Sequence, residues 1–309
     1  MKLTIEEQVQ SAVAARKFYL EGSSKSDIAD VLGVSRFRVA RLLDAALEQG
    51  IVQISVQVPF QIEPDLSEEL RRRHDLRRAI VVQTSPDPGE LRDGLGAVAA
   101  GVLGDLLTED DRLGIAWGRT LRSVVAHLEE RTLPRVTVTQ LTGAAGSAND
   151  NCIDLVRRVA AVSGGGSHPI FAPLLLPDAA TLAGVRRQTA VARTLQQHAR
   201  LTVALLAVGA WPDDSQLMDL MPAGLRRKLL AEGVCAEVAG NLLREDGQEL
   251  SSLSDQLLTV GMADLRRIPE VVVVAGGPQK ARAVRAVLAS GTVSTLITDV
   301  HCARALLGD

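Results

Sequence analysis

The feature that most constrains this chain is an alternation that begins after Pro59. Short apolar runs occur at Ala79–Val82, Leu113–Ala116, Val136–Leu141, Leu201–Val208, Val271–Ala275 and Val293–Ile297. Segments of helical length and period separate most of them, at Leu91–Leu107, Leu121–Glu130, Ile153–Val162, Ala180–His198, Pro222–Glu232 and Gln279–Ala289. Runs of roughly four to eight residues without polar alternation suit strands buried on both faces. Strand following helix following strand predicts an α/β fold with a mostly parallel sheet covered on both sides. No internal repeat and no low-complexity tract interrupts the pattern.

The N-terminal part reads differently. Apolar residues at Val9, Val13, Phe18 and Leu20 predict a helix that ends at Glu21-Gly22. SSKSDIADVLG predicts a short second helix capped by Ser24 or Ser26, and SRFRVARLLDAALEQG a third, capped by Ser35 and stopped by Gly50. IVQISVQV alternates apolar and polar residues, as a half-buried strand does. Pro59 and Pro64 bracket FQIE, the most plausible linker, and Pro64–Arg73 predicts a further helix. The expected organisation is residues 1–58 as a helical domain, 59–65 as linker and 66–309 as an α/β domain; 309 residues exceed one ordinary domain.

Residues 25–46 carry the spacing of a helix-turn-helix. Two helices crossing at a sharp angle need a small residue at their contact, a left-handed turn residue, and apolar residues on one face only. Ala29 is the small residue and Gly33 the turn residue, while Ile28, Leu32, Val34, Val39 and Leu42 supply the buried contacts. The outward face of the third helix is then Arg36, Phe37, Arg38, Ala40 and Arg41, led by Ser35. Arginine suits guanine edges and phosphates, so Ser35, Arg36, Phe37, Arg38 and Arg41 are the candidate contacts to double-stranded operator DNA. Phe37 is open to three readings: contact with a thymine methyl, a wedge near the backbone, or packing on its own domain. The cluster RRRHDLRR at Arg71–Arg78 reads as a solvated helix face before it reads as a second DNA contact.

Composition narrows the alternatives. The net charge of −3 does not favour a nucleic-acid binder, but a small basic face can bind phosphates on an acidic protein. Aromatics are 2% of residues, too few for a base-stacking platform on single strands. Cys152, Cys235 and Cys302 show neither zinc-ligand nor redox spacing and read as small buried hydrophobes, so no metal is expected. No stretch of about 18 apolar residues predicts a membrane span. The start MKLTIEEQVQ lacks a signal peptide's apolar core, and a cytoplasmic protein is expected.

Glycine-containing segments follow four of the predicted strands, where open parallel sheets bind ligands. Trp117-Gly118-Arg119-Thr120 opens a helix, so backbone N–H groups, a hydroxyl and a guanidinium could cradle a phosphate. Thr142-Gly143-Ala144-Ala145-Gly146-Ser147, Gly209-Ala210-Trp211 and Gly276-Gly277-Pro278-Gln279-Lys280 are the others, and Lys280 begins a helix of its own. None matches the Walker loop or the dinucleotide fingerprint, so no nucleotide cofactor is expected. Two of the four loops carry a cation, which favours a small anionic ligand. Trp117 either shapes the ligand pocket or is buried packing.

The segments GIAWGRTL, QLTGAAGS, GVCAEVAGNLLREDG, VVVVAGGPQKARAVRAVL and LITDVHCARALL, in this order, resemble the SorC family of bacterial sugar-responsive transcriptional regulators. LEGSSKSDIADVLGVSRFRVARLLDAALEQGIV resembles that family's helix-turn-helix, and the resemblance covers nearly the whole chain. It implies an effector domain similar in fold to sugar-phosphate isomerases and deaminases that senses rather than catalyses, and self-association as dimers or tetramers. It also implies effector contact at Gly118, Arg119, Thr120, Gly143, Glu237 and Lys280; Glu237 stands where many relatives have Asp.

The reading is therefore a DNA-binding regulator, a repressor, controlled by a small phosphorylated sugar, with no catalytic residue. The alternative is a sugar-phosphate isomerase or deaminase with an appended helical domain. Such an enzyme needs a general base. Glu237 is the nearest candidate, and His127, His168 and His301 have no evident partner in sequence. A plain oligomerisation module would present apolar residues where this chain has Arg36, Arg38 and Arg41. Residues 113–147 contain no lysine, so a covalent imine with the sugar could form only at Lys280.

Overall fold

The computed structural model describes residues 4–54, 62–128, 136–145 and 152–308 and divides between Val58 and Pro59 into two compact units. The first unit contains α1 (Ile5–Ala15), α2 (Lys25–Leu32) and α3 (Arg36–Glu48), with α1 running on into a π-helical turn at Arg16–Leu20. Each helix starts on a hydroxyl. Thr4 and Ser24 form reciprocal capping boxes with Glu7 and Asp27, and the Ser35 hydroxyl accepts the Arg38 N–H at 3.2 Å. Gly33 ends α2 at φ 66°, a left-handed turn that costs glycine nothing and would strain a residue with a Cβ.

The core of this unit is Ala14, Ala15, Ile28, Ala29, Val39, Leu42, Leu43 and Ala46, with Leu32, Val34 and Phe18 packed at its margin. The second and third helices thus bury the face their spacing predicts. The first does not. Val9 and Leu20 are exposed, and α1 buries its small residues Ser11, Ala14 and Ala15 instead, because close approach to α3 excludes larger side chains. The strand expected from Ile51 is absent over Ile51–Ile54, which forms a bend with Ile54 exposed; the rest of that segment, with the first three residues of the expected linker, lies outside the described residues.

In the second unit, Ile62 bridges to Val82 and the Glu63 N–H bonds the Val81 carbonyl, so the end of the expected linker is part of the sheet domain. α4 (Pro64–Arg73) leads into β1 (Arg78–Val82), α5 (Pro88–Leu106), β2 (Arg112–Ile115), α6 (Arg119–Ala126), β3 (Thr137–Gln140), α7 (Cys152–Ser163) and β4 (Gly166–His168). Then come α8 (Ala179–Arg187), α9 (Thr189–His198), β5 (Val203–Ala210), α10 (Gln216–Asp219), α11 (Ala223–Ala231), β6 (Ala236–Val238) and β7 (Asn241–Leu243). α12 (Met262–Leu265), β8 (Glu270–Val274), α13 (Ala281–Ala289), β9 (Thr295–Asp299) and α14 (Val300–Leu307) complete the chain. The single helix expected over Ala180–His198 is two helices broken at Gln188, whose backbone is extended.

The sheet order is β1-β9-β8-β5-β2-β3-β4, parallel throughout, with the β6–β7 hairpin antiparallel on the end of β5. β8 and β9 are buried at every residue, as strands covered on both faces must be. From β2 the chain moves outward through β3 and β4, then returns to the other side of β2 as β5 and moves outward through β8 and β9. The order therefore reverses between β2 and β5, and the carboxyl ends of these strands flank a crevice of the kind where open α/β sheets bind ligands. At the opposite ends, Glu270 accepts bonds from Ser294 and Thr295 and pairs with Arg77 at 2.6 Å and Arg78 at 3.0 Å. Part of the arginine cluster is thereby anchored to the sheet, while Arg71 and Arg72 pair with Glu68 along α4. No helix among the described residues is long and apolar enough to cross a membrane.

Candidate functional site

A cavity of about 270 Å³ opens at the carboxyl ends of β2, β5 and β8. Gly118, Arg119 and Thr120 line it from the start of α6, and Glu237 from β6. Gly276 and Lys280 line it from the loop after β8, and Arg92 from the first turns of α5. Five of the six residues expected to touch an effector thus meet, although up to 162 positions separate Gly118 from Lys280 in sequence. Trp117 serves both readings: it is 6% exposed and still lines the cavity.

The cavity is also lined by a carboxylate that no motif in the sequence singles out, Asp214. Asp214 accepts from the Arg119 guanidinium and pairs with the Lys280 ammonium at 3.0 Å. Lys280 also donates to the Val208 carbonyl at 2.8 Å, so its ammonium is fixed at the end of β5. Burial pushes the Asp214 carboxyl up, but Lys280 and Arg119 outweigh it and hold the group below the usual carboxylate range. Asp214 reaches this position through a tight turn in which its backbone exchanges two hydrogen bonds with Ala210. Acidic residues after Trp211-Pro212, at the end of a central strand, were the only available signal.

Glu237 forms the floor. Its Oε2 accepts from Ser215 at 2.7 Å and from the Trp211 indole at 3.3 Å. Opposite it on β5 is Gly209, where a Cβ would stand 2.4 Å from the Glu237 Cγ, so the glycine makes the room. Burial raises this carboxyl to about 7, against the opposing effect of its two donors and Lys280. The loop after β8 is held by the buried Asp299, which accepts from the Gly277 N–H at 2.5 Å and from His301 N–H at 2.9 Å.

Gly143 is a correction, since it does not line the cavity. Its N–H donates to the Leu258 carbonyl at 2.7 Å, and a Cβ there would lie 2.5 Å from the Pro173 carbonyl oxygen. The residue is glycine because two backbones meet there; its neighbours Gly146 and Ser147 lie outside the described residues.

The second candidate site is the start of α3. Arg36, Phe37 and Arg41 are exposed, Phe37 to 85%. Arg38 departs from its expected role. It is half-buried and bonds Glu7 at 2.8 Å, which ties α3 to the start of α1 and holds the Glu7 carboxyl below its ordinary range. Arg36 and Arg41 have no ion pair among the described residues, which leaves them as the open cations of this face.

Comparison with known proteins agrees with this architecture. Residues 59–308 match the Sugar-bind family model, "Putative sugar-binding domain". The deoxyribonucleoside regulator of Bacillus subtilis (strain 168) is 28% identical, over 98% of this chain and 99% of that protein. The transcriptional regulator LsrR of Escherichia coli (strain K12) is 26% identical, over 97% and 95%. The full-length sorbitol operon regulator SorC from Klebsiella pneumoniae shares the fold, with a TM-score of 0.75 over 98% of this chain and 99% of that one at 24% identity. This chain belongs to the SorC family of sugar-responsive transcriptional regulators. A SorC-family protein is a DNA-binding regulator with a sugar-binding domain. The helix-turn-helix and the sheet-end cavity are the two features such a regulator requires.

Proposed function

We propose that this SorC-family protein is an operator-binding repressor, released from DNA by a small phosphorylated sugar bound at the β2–β5 crevice. The observation that carries this reading is the pair of cations Arg119 and Lys280 converging on one carboxylate inside a cavity. An anion entering there takes over guanidinium and ammonium partners now held by Asp214, with N–H groups of the first turn of α6 close by. The cavity volume of about 270 Å³ lies just below the roughly 300–1,000 Å³ of sites for drug-sized ligands, which suits a single sugar unit. Glu237 and Thr120 supply hydrogen bonds for its hydroxyls. The B. subtilis relative is named for deoxyribonucleosides, which supports a pentose-sized effector.

The DNA-binding partner of this mechanism is a symmetric oligomer, because one helix-turn-helix touches few base pairs and two read a pseudo-palindrome. The effector changes operator affinity only by its differential affinity for the two states of the protein, a coupling of typically about 1–3 kcal/mol. The test is a thermal-shift screen of free and phosphorylated sugars, followed by operator binding with and without each hit. A repressor loses operator affinity with the hit; gained affinity overturns the direction of the switch. Sedimentation as a monomer with tight operator binding intact overturns the oligomer.

One observation favours an enzyme as the second reading: a buried carboxyl raised to about 7 is what a general base needs. Against it, none of the histidines lines the cavity, and Glu237 is already engaged by Ser215 and Trp211. Turnover of a sugar phosphate by the purified protein, abolished in Glu237→Gln, would establish that reading.

A further inference from the structure

We propose that Phe37 reads thymine, its ring packing on the 5-methyl group in the major groove, so that the operator owes part of its sequence to an apolar contact. The inference rests on the DNA-binding reading and goes beyond it by naming the base. Phe37 is 85% exposed, and the core of its unit closes without it, since none of that core's members or marginal residues is Phe37. Among the described residues it packs on no part of its own domain's core.

Charge along α3 says what covers the ring. Arg36 and Arg41 flank Phe37, Arg41 one turn on and on the same face. The same exposed side of the helix turns acidic further along, at Asp44 and Glu48. A polyanion is attracted to the first turn and repelled from the last, and the positive end of the helix dipole adds to this. The N-terminal turn therefore enters the groove, and it carries Phe37 with it. In the major groove each base pair offers donors and acceptors, and the thymine methyl is the apolar group a phenyl ring can contact. Arg38 is committed to Glu7, so the reading set is Arg36, Phe37 and Arg41.

The experiment begins with a duplex enriched from a random-sequence library by the full-length protein. Each thymine is then replaced by uracil, which removes only the methyl group and leaves the protein untouched. Affinities are measured for the wild type and Phe37→Ala. One or two positions in each half-site should weaken the wild type about three- to tenfold. Phe37→Ala should bind the unmodified duplex that much more weakly and be indifferent to uracil at those positions. Equal binding of all uracil duplexes by the wild type overturns the thymine contact alone, as does a duplex kinked at Phe37 with no uracil sensitivity, the mark of a wedge. Failure to enrich any duplex overturns the DNA-binding reading and this inference together.

Discussion

The two cationic sites of this protein are built in opposite ways. On α3, Arg36 and Arg41 project into solvent with no acidic partner among the described residues. In the crevice, Arg119 and Lys280 are both committed to Asp214, and the Lys280 side chain is only 12% exposed. An open face in water gives up little to hold its charge, and it waits for a polymer that brings many charges and releases counterions. A cation as enclosed as Lys280 cannot be left unpaired, because the desolvation cost is too large, whereas Arg119 is 43% exposed at the mouth. The crevice therefore keeps an internal anion, and a ligand must compete with it. The first arrangement suits a large polyanion that is met often; the second suits one small anion that has to match the position of a carboxylate.

The comparison breaks most sharply at Lys280. Lys280→Ala strands Asp214 in a half-buried position with one cation fewer, and truncating a buried charge partner typically costs about 2–5 kcal/mol. The loss should fall on a phosphorylated sugar, on the order of 100-fold or more, and hardly on its unphosphorylated analogue; titration calorimetry with both sugars measures it. Asp214→Asn should act in the reverse direction and tighten the anionic ligand, because the internal competitor loses its charge. Equal losses for both sugars in Lys280→Ala would show that the ammonium does not face the anion.

A second effect, nearly as large, belongs to Glu237. Its carboxyl is raised from 4.5 to about 7 by burial, and the groups facing it are Ser215, Trp211, Lys280 and Asp214. A group raised in the folded state contributes stability that is fully present below its unfolded value and is lost as pH rises through its folded value. The contribution of Glu237 to the second unit's stability should therefore be lost between about pH 5 and 8, on the order of 3 kcal/mol at the alkaline end, while His74 and His198, whose imidazoles burial holds below their ordinary value, act in the opposite direction. Across that range the melting temperature of the wild type should fall relative to that of Glu237→Gln, a difference that cancels the histidines. A slope unchanged by the substitution would assign the titration elsewhere.

How much of this could be read in the sequence follows from burial. Strands β1, β2, β3, β5, β8 and β9 announce themselves as apolar runs, most plainly β8, where Val271–Val274 are buried on both faces and so tolerate only apolar side chains. β4 (Gly-Ser-His) sits at the sheet edge with its first two residues exposed, and carries no such pattern. The β6–β7 hairpin hides for another reason. Its strands are three residues each, and its turn at Ala239-Gly240 has positive φ at both positions but lacks the usual Asn or Asp. The alternation after Ile51 does not become a strand over Ile51–Ile54, where among the described residues no partner strand buries Ile54. In the site, Arg119 and Lys280 were legible as cations after strands. Asp214 was not, since it is 95 residues from one partner and 66 from the other, and only the sheet order brings the three together. Gly143, an effector contact by resemblance, does not line the cavity, and the closeness of the Pro173 backbone explains why no side chain fits there.

The open face predicts smaller, separable effects. Arg36→Ala and Arg41→Ala should each cost about 1–3 kcal/mol of operator affinity. A residue on phosphate should also lower the salt slope by about 0.9, and a residue on a base should leave that slope unchanged. Arg38→Ala should cost less in DNA affinity than either, because its guanidinium is held by Glu7. Operator titrations at several salt concentrations separate the three. If Arg38→Ala proved the most damaging, the ion pair with Glu7 would have to open on DNA, and the contrast between a free face and a committed site would fail.

The smallest effect is expected at Ser35, which the sequence reading placed among the DNA contacts. Its hydroxyl accepts the Arg38 N–H at 3.2 Å and so caps α3. The hydroxyl proton is still available to donate to a phosphate. Two substitutions divide these roles. Ser35→Ala removes both cap and donor, and should cost about 1 kcal/mol of stability in the first unit. Ser35→Asp keeps the cap, since aspartate caps as well as serine, and favours the positive end of the helix. It also places a negative charge beside Arg36 at the point where phosphate would approach. If Ser35 is a cap alone, Ser35→Asp should match the wild type in melting temperature and on the operator. If it also faces DNA, Ser35→Asp should keep its melting temperature and lose operator affinity, with a loss that shrinks as salt rises. Full operator affinity in Ser35→Asp at low salt would remove Ser35 from the DNA contacts and leave the reading face to Arg36, Phe37 and Arg41.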